Sequence, residues 1–475
     1  MKKSTLFFTL LFFNCFHFAF SQGSNYSIKV KINGPKDKYV HLAHFFGYNQ
    51  YIKVDSAKLT DGYYHFKGSE PLKGGIYLIV LKANQYYDFV VSGTEKDIEI
   101  EADTVDFVKS VKFKGSKEND ILFGYRKYLA EKSAEAGQLS RTMQTATDPT
   151  AMEAARNKMN GLQKEVTDYM QATVKNNPGT FAAKVIKANM EPEMPKEVPK
   201  KADGKTDSTA LFNNYKAHYF DNLDFTDERM LRTPFLQSKI EKYFKELVYQ
   251  VKDSVIHDAD RVIMRSKKNQ EVYRYVLWMI TNKYENTEIV GLDGVFVHLA
   301  ENYYMKDATW LDSTQRAKFV ERVTILKPLQ TGVVFPSLVL SDTLGKEFNV
   351  LNSTAKYTVV YFYSPDCGHC KDNAPKLVKT YDELKLKGVE IYNISIDYEP
   401  EKMLKFINTY KTGKMKNLWD AKQKYYFRNN FDVYSTPTSY ILDSKKRIIA
   451  KRIPIEEIDG FLQFYEKQQA AQNKM

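Results

Sequence analysis

The hydrophobic rhythm of the chain changes twice along its length. Between residues 26 and 115 it has period two: Ile28, Val30 and Ile32 alternate with Ser27, Lys29 and Lys31, the signature of a half-buried strand. Further strands are predicted at Tyr39–Phe45, Tyr51–Val54, Tyr63–Lys67, Ile76–Leu81, Tyr86–Val91 and Lys112–Lys114, with turns at Asp61-Gly62, Gly74-Gly75, Ser92-Gly93 and Lys114-Gly115. Short strands this closely spaced imply a small β-sandwich or an open barrel. His41 and His44, three apart on one strand, should lie on opposite faces.

From about 118 the spacing becomes helical. Ile121, Leu122, Tyr125, Tyr128 and Leu129 share a face, with Asn119 a possible cap. Polar helices follow near 150–175 and 181–190. The stretch 191–208 carries Pro192, Pro195, Pro199 and Gly204 among charges and should be an exposed loop or hinge. Helices resume at about 234–250, 253–265, 269–283, 292–303 and 313–326. Beyond 330, strands alternate with helices. Val333–Leu340, Tyr357–Tyr363 and Val389–Ile396 read as strands, the segments up to Lys387 and Glu401–Tyr410 as helices. A hairpin of Thr438–Leu442 with Arg447–Arg452 and a helix over Ile455–Gln468 close an α/β domain with a mixed sheet. The expected organisation is therefore a β-sandwich-like domain at 22–116, an all-α region at 117–329 and an α/β domain at 330–475 that closes its own core.

Residues 1–21 read as a secretory signal peptide: Lys2 and Lys3, a Leu/Phe-rich stretch from Leu6 to Phe20, and Ala19-Phe20-Ser21 ahead of the cut. The stretch is too short and too interrupted, by Asn14 and His17, to anchor in a membrane. A lipid on Cys15 would have Asn14 before it and little apolar core upstream. No later segment is apolar enough to span, so the exported chain should have no integral membrane segment. The expected location is the cell envelope or periplasm of a Gram-negative bacterium.

Composition then narrows the chemistry. The 475 residues carry a formal charge of +12, but the surplus is spread along the chain as a solvated Lys-rich surface and points to no nucleic acid partner. Three cysteines exclude a disulfide-stapled scaffold. Without Cys15, only Cys367 and Cys370 remain. No His-x-x-x-His or His-Glu-x-x-His pattern accompanies them, so no metal is expected. There is no phosphate loop and no Gly-x-Gly-x-x-Gly, and no organic cofactor is implied.

Cys367-Gly368-His369-Cys370 falls at the junction of a predicted strand and helix. The helix N-terminus stabilises a thiolate on the first cysteine, and the second, one turn on, can resolve a mixed disulfide. A purely structural bridge is the bland alternative. Gly368 leaves the approach open.

With these residues in view, roughly 330–470 resembles a thioredoxin-fold protein. The markers are Tyr361-Phe362-Tyr363-Ser364-Pro365-Asp366-Cys367-Gly368-His369-Cys370, Pro375 within the first helix, and Thr436-Pro437-Thr438 before the hairpin. Within the superfamily it is similar to the exported TlpA/ResA-like group, with Asp342 to Gly345 and Trp419-Asp420 matching further features, and the layout resembles multidomain members found in Bacteroidetes. The resemblance implies thiol–disulfide exchange on exported cysteine-containing proteins, with a separate redox partner recycling the pair. It implies a cis Pro437 beside the cysteines, a peptide-binding Thr436, and a kink at Pro375. It implies Cys367 as the attacking thiol, Cys370 as the resolving thiol and His369 as a tuner of the thiolate. Two departures matter: Tyr361 stands where thioredoxins bury an aspartate, and Asn373 where ResA-like proteins keep a glutamate. Asp366 and Asp372 are the nearby acids that could move the proton instead. The competing readings are an envelope interaction protein whose upstream domains dominate, and a thioredoxin-fold peroxidase. For the latter, Val360 and Tyr363 break the Pro-x-x-x-Thr-x-x-Cys pattern.

Overall fold

The computed structural model describes residues 25–472 apart from 35, 36, 49, 83, 84 and 286, so the signal-peptide segment and Cys15 lie outside the described residues. The chain divides into two compact units, residues 1–243 and 244–475. The architecture is β-rich, then all-α, then mixed α/β. Among the described residues no helix is long and apolar enough to cross a membrane.

The first unit opens with β1 (Tyr26–Asn33), β2 (Tyr39–Phe46), β3 (Gln50–Thr60), β4 (Tyr63–Gly68), β5 (Gly75–Lys82), β6 (Gln85–Val91), β7 (Asp97–Asp103) and β8 (Lys112–Lys114). Of the two forms expected, sandwich or open barrel, these strands take the second: one continuous half-barrel sheet in the order β6-β5-β2-β3-β4-β1-β7-β8. Strand β7 was not expected. Its Glu99, Glu101 and Asp103 look loop-like, yet Ile98, Ile100 and Ala102 alternate with them and are buried, and β7 runs parallel to β1. The histidines of β2 do not fall on opposite faces. A bulge between Leu42 and Ala43 resets the alternation, so Val40, Leu42, Ala43 and Phe45 point inward and His41 and His44 share the more open side.

Asn119 is not the cap of the next helix, Lys117–Thr145. Ser116 is, accepting from the Asn119 amide. Asn119 is instead fully buried, its Oδ1 accepting from Val90 N at 2.8 Å and its Nδ2 donating to Val90 O at 2.7 Å. The side chain thus completes the ladder of β6 from the helix. The region 191–207 is largely irregular and exposed, and a helix not expected from the pattern, Ser208–His218, follows it, capped by Asp207.

In the second unit, helices Lys252–Ser266, Gln270–Glu285, Asp293–Leu299 and Ser313–Leu326 precede a seven-stranded sheet. Its strands are β9 (Val339–Ser341), β10 (Glu347–Asn349), β11 (Tyr357–Tyr363), β12 (Val389–Ser395), β13 (Lys416–Trp419), β14 (Thr438–Leu442) and β15 (Ile448–Lys451), in the order β10-β9-β13-β12-β11-β14-β15. The strand expected over Val333–Leu340 shrinks to Val339–Ser341, because Pro336 interrupts it and cannot donate to a ladder. The short β10 and β13 and the helix Phe427–Phe431 were not expected. Strand β11 is central and buried along its whole length, parallel to β12 and antiparallel to β14. Tyr357, Val359, Tyr361 and Tyr363 face helix Gly368–Leu386 and the terminal helix Ile458–Gln472, while Val360 and Phe362 pack on the opposite side.

That opposite side does not end at 330. Ile325 and Leu329 belong to its buried cluster with Phe335, Phe362 and Tyr440. Lys451, 7% exposed, gives its ammonium to Asp293 at 2.6 Å and to Leu329 O at 3.3 Å. Asp432 accepts from both Arg322 and Arg452. Removing one partner of a buried ion pair costs about 3–5 kcal/mol, since the other charge stays buried and unpaired. Residues 330–475 alone should therefore be less stable in urea than residues 290–475 by about that amount, and Lys451→Met should recover much of the loss in the shorter fragment. Equal unfolding midpoints for the two fragments would show that the upstream helices do not complete this core.

Candidate functional site

Strand β11 ends at Tyr363 and the chain turns through Ser364-Pro365-Asp366, closed by Cys367 N donating to Ser364 O at 3.1 Å. Cys367 is thereby the N-cap of helix Gly368–Leu386, with extended backbone and a partly exposed side chain. The first amides of a helix have no partner within it and point towards the cap. Cys370, three residues on, faces inward among Tyr361, Tyr363 and Ala374 and is 1% exposed. Pro375 sits inside this helix, which continues past it to Leu386. A Cβ added at Gly368 would meet nothing within 4 Å, so the approach to the cysteines is open there.

The two sulfurs are present as free thiols in unlike surroundings. Burial works to raise the Cys367 pKa. The Thr436 side chain, the amide and thiol of Cys370, and the His369 amide hydrogen-bond to its sulfur and outweigh that, so the thiol lies below its ordinary value. Burial pushes the Cys370 thiol up to about 12. Cys367 Sγ also donates to Thr436 O at 3.2 Å. The Thr436–Pro437 bond is cis, which brings that carbonyl and Pro437 beside the pair.

Cys367, Gly368, His369, Cys370, Tyr361, Thr436 and Pro437 are thus gathered in one place. Asp366 is next in sequence but engaged elsewhere: its carboxylate is exposed and bonded to Lys402 at 2.8 Å, which holds it below the usual carboxylate range. Lys402 also pairs with Glu399. Asp372 is exposed on the helix. The His369 side chain is exposed, and it is the His369 backbone amide that reaches the sulfur. Sequence reasoning placed the tuning in the imidazole; the N–H is the group in contact.

A cavity of about 320 Å³ adjoins Pro437, lined by Tyr361, Asn373, Ser439, Arg452 and Glu456 among others. Both departures from the resembled families, Tyr361 and Asn373, border it. Arg452 and Glu456 were not anticipated. Only the β14–β15 pairing, in which Arg452 N donates to Ser439 O at 2.7 Å, carries Arg452 to this wall. No local signal marks either residue. Among the described residues no group of three or more His, Cys, Asp and Glu is arranged to hold a metal ion.

Comparison with known proteins bears on the same region. A sequence model described as the AhpC/TSA family matches residues 331–451; two domains of unknown function, DUF4369 and DUF5106, match 26–122 and 150–328. The thiol-disulfide oxidoreductase ResA of Bacillus thuringiensis is 26% identical over 137 residues, covering 28% of this chain and 78% of that one, and the ResA of Bacillus anthracis matches equally. Among solved structures, a domain of a possible thiol-disulfide isomerase from Cytophaga hutchinsonii is 39% identical, covers 30% of this chain and 98% of its own, and aligns with a TM-score of 0.30. A thioredoxin-like protein from Bacteroides caccae is 16% identical over 57% of this chain and 99% of its own, with a TM-score of 0.46. The mixed sheet, the cysteine pair at the head of its helix and the matched residues together make the C-terminal region a member of the thioredoxin-fold thiol–disulfide oxidoreductase superfamily.

Proposed function

We propose that the protein is an exported enzyme that exchanges disulfides with cysteine-containing proteins of the cell envelope through Cys367 and Cys370. The observation that carries this reading is the contrast between the sulfurs, one partly exposed with a lowered pKa, the other buried with a pKa raised to about 12. The Cys367 thiolate attacks a client disulfide; a Cys367–client bond forms, the client S–S bond breaks, and the departing client thiolate takes a proton. Cys370 then loses its proton and attacks Cys367 Sγ, releasing the second client thiol and leaving an intramolecular disulfide. Two electrons have passed to the client, and a dithiol-bearing partner must return them; with a disulfide-bearing partner the cycle runs in the oxidising direction. Thr436 and Pro437 form the wall against which the client peptide lies, with Gly368 leaving the opposite side clear. The regions matched as 26–122 and 150–328 serve client choice, by raising the local concentration of a bound partner near Cys367.

The order of attack is checked by alkylation of the reduced protein. At neutral pH Cys367 should be labelled well before Cys370, and Cys370 should stay largely protonated past pH 10. Faster labelling of Cys370 would reverse the assignment, and a Cys370→Ser variant that captures no client from an envelope extract would remove the exchange reading.

The poise of the couple is checked at His369. Proline has no N–H, so His369→Pro removes one donor from the thiolate, destabilises the reduced form and should make the couple more reducing by tens of millivolts, about 30 mV for each 1.4 kcal/mol. His369→Ala keeps the amide and should move the potential much less. Glutathione titration giving equal shifts for both would place the tuning in the imidazole.

A further inference from the structure

Strand β11 presents two phenols to Cys370. The Tyr361 and Tyr363 hydroxyls are both buried and have no hydrogen-bond partner among the described residues. Leaving a buried O–H unsatisfied is costly, and such groups in a native fold call for an explanation. The two differ in one respect: Tyr361, 4% exposed, borders the cavity of about 320 Å³ beside Pro437, whereas Tyr363 does not. That volume holds several waters. Asn373 enters it from the helix one turn beyond Cys370, and Ser439, Arg452 and Glu456 make its far wall polar. The cavity therefore runs from the side of the resolving cysteine towards solvent, with the Tyr361 hydroxyl on its wall.

We propose that Tyr361 is the positioning residue for deprotonation of Cys370: its hydroxyl orders cavity water that takes the Cys370 proton as the sulfur attacks Cys367. This rests on the exchange reading above. In the step, the Cys370–Cys367 bond forms and the Cys367–client bond breaks. The electron pair departs on the client sulfur, which is protonated from solvent. The proton of Cys370 passes to cavity water and on to bulk base. Tyr361 stays neutral throughout, because burial holds its phenol well above the ordinary range, so it donates a hydrogen bond and does not itself serve as base. The other titratable and charged groups around this point are Cys367 and His369 at the helix start, Tyr363 on β11, Asp397 after β12, Arg452 at the end of β15, and Glu456, whose carboxylate is paired with Lys376 at 3.1 Å. Asp397 is bonded by Ser364 Oγ at 2.8 Å and Arg452 by Asp432 at 2.7 Å, so neither is a ready acceptor for the Cys370 proton.

The test uses the full chain with glutathione disulfide as the client, followed by rapid mixing between pH 6 and 9. In a Cys370→Ser background, formation of the mixed disulfide reports attack by Cys367 alone. With Cys370 present, release of the second glutathione reports resolution. Tyr361→Phe should leave the attack rate unchanged and slow resolution about tenfold at pH 7, displacing its pH profile upward by about one unit. It should melt no lower than the parent, since the hydroxyl it removes has no partner. Tyr363→Phe, equally buried but away from the cavity, should leave the resolution profile in place. Asn373→Leu, which fills the cavity from the helix without touching β11, should reproduce the displacement and serves as the second variant. An unshifted profile in Tyr361→Phe or Asn373→Leu, or an equal shift in Tyr363→Phe, overturns this proposal alone. Failure of the Cys370→Ser protein to form any mixed disulfide overturns the exchange reading and this proposal with it.

Discussion

Everything at the redox site depends on holding two sulfurs three residues apart in opposite environments. A helix supplies that contrast only if it begins at the first of them. Cys367 is outside the helix by its backbone and receives the unpaired amides; Cys370 is inside and is turned towards the sheet. A start one residue earlier would place Cys367 in the first turn and lose the cap position. The turn Ser364-Pro365-Asp366 sets that start, with Pro365 buried and Cys367 N held by Ser364 O. Burial of β11 on both faces fixes the turn in its place.

The far side of the site is held by charge as well as by packing. Arg452, on the cavity wall, and Asp432 both have left-handed backbones, with φ of 59° and 51°. Such a conformation is strained for a side-chain-bearing residue and persists where the surroundings demand it. Here the demand is electrostatic. Asp432 is almost fully buried and balanced by Arg452 from the hairpin and Arg322 from the preceding helix. The helix Ser313–Leu326 therefore reaches the redox wall through one carboxylate. Lys451, next to Arg452, is tied to Asp293 in the same way. The border between helical and redox regions is a line in the sequence and a shared core in space.

Much of this was legible before the structure, and the misses have physical causes. Buried strands and amphipathic helices announce themselves, so Tyr357–Tyr363, Val389–Ser395 and the cysteine helix fall where the pattern puts them. Short edge strands such as Glu347–Asn349 and Lys416–Trp419 carry too few residues for a period to register. Strand β7 was hidden by its own acids, and the shared face of His41 and His44 by a bulge that no residue type signals. Within the site, the cysteines and Pro437 could be named from local motifs. Arg452 and Glu456 could not, because their position depends on how the hairpin pairs and not on what surrounds them in the chain.

The same contrast between sulfurs ties electron transfer to protons. Between the two thiol pKa values the reduced pair carries one thiolate and one thiol, so forming it from the disulfide consumes two electrons and one proton. Its potential then moves with pH by about 30 mV per unit, half the slope of a pair that takes up both protons. The low pKa of Cys367 and the high pKa of Cys370 set a wide pH range for this half-slope behaviour. Lowering the first pKa stabilises the reduced form and makes Cys367 a better leaving group. Raising the second slows resolution, because a thiol must lose its proton before it attacks. A fold that buries Cys370 to protect it from foreign disulfides thereby takes on a proton-transfer problem, and solving it requires a polar path through an otherwise apolar core. The cavity beside Pro437 is the one feature around Cys370 with the room and the lining for such a path.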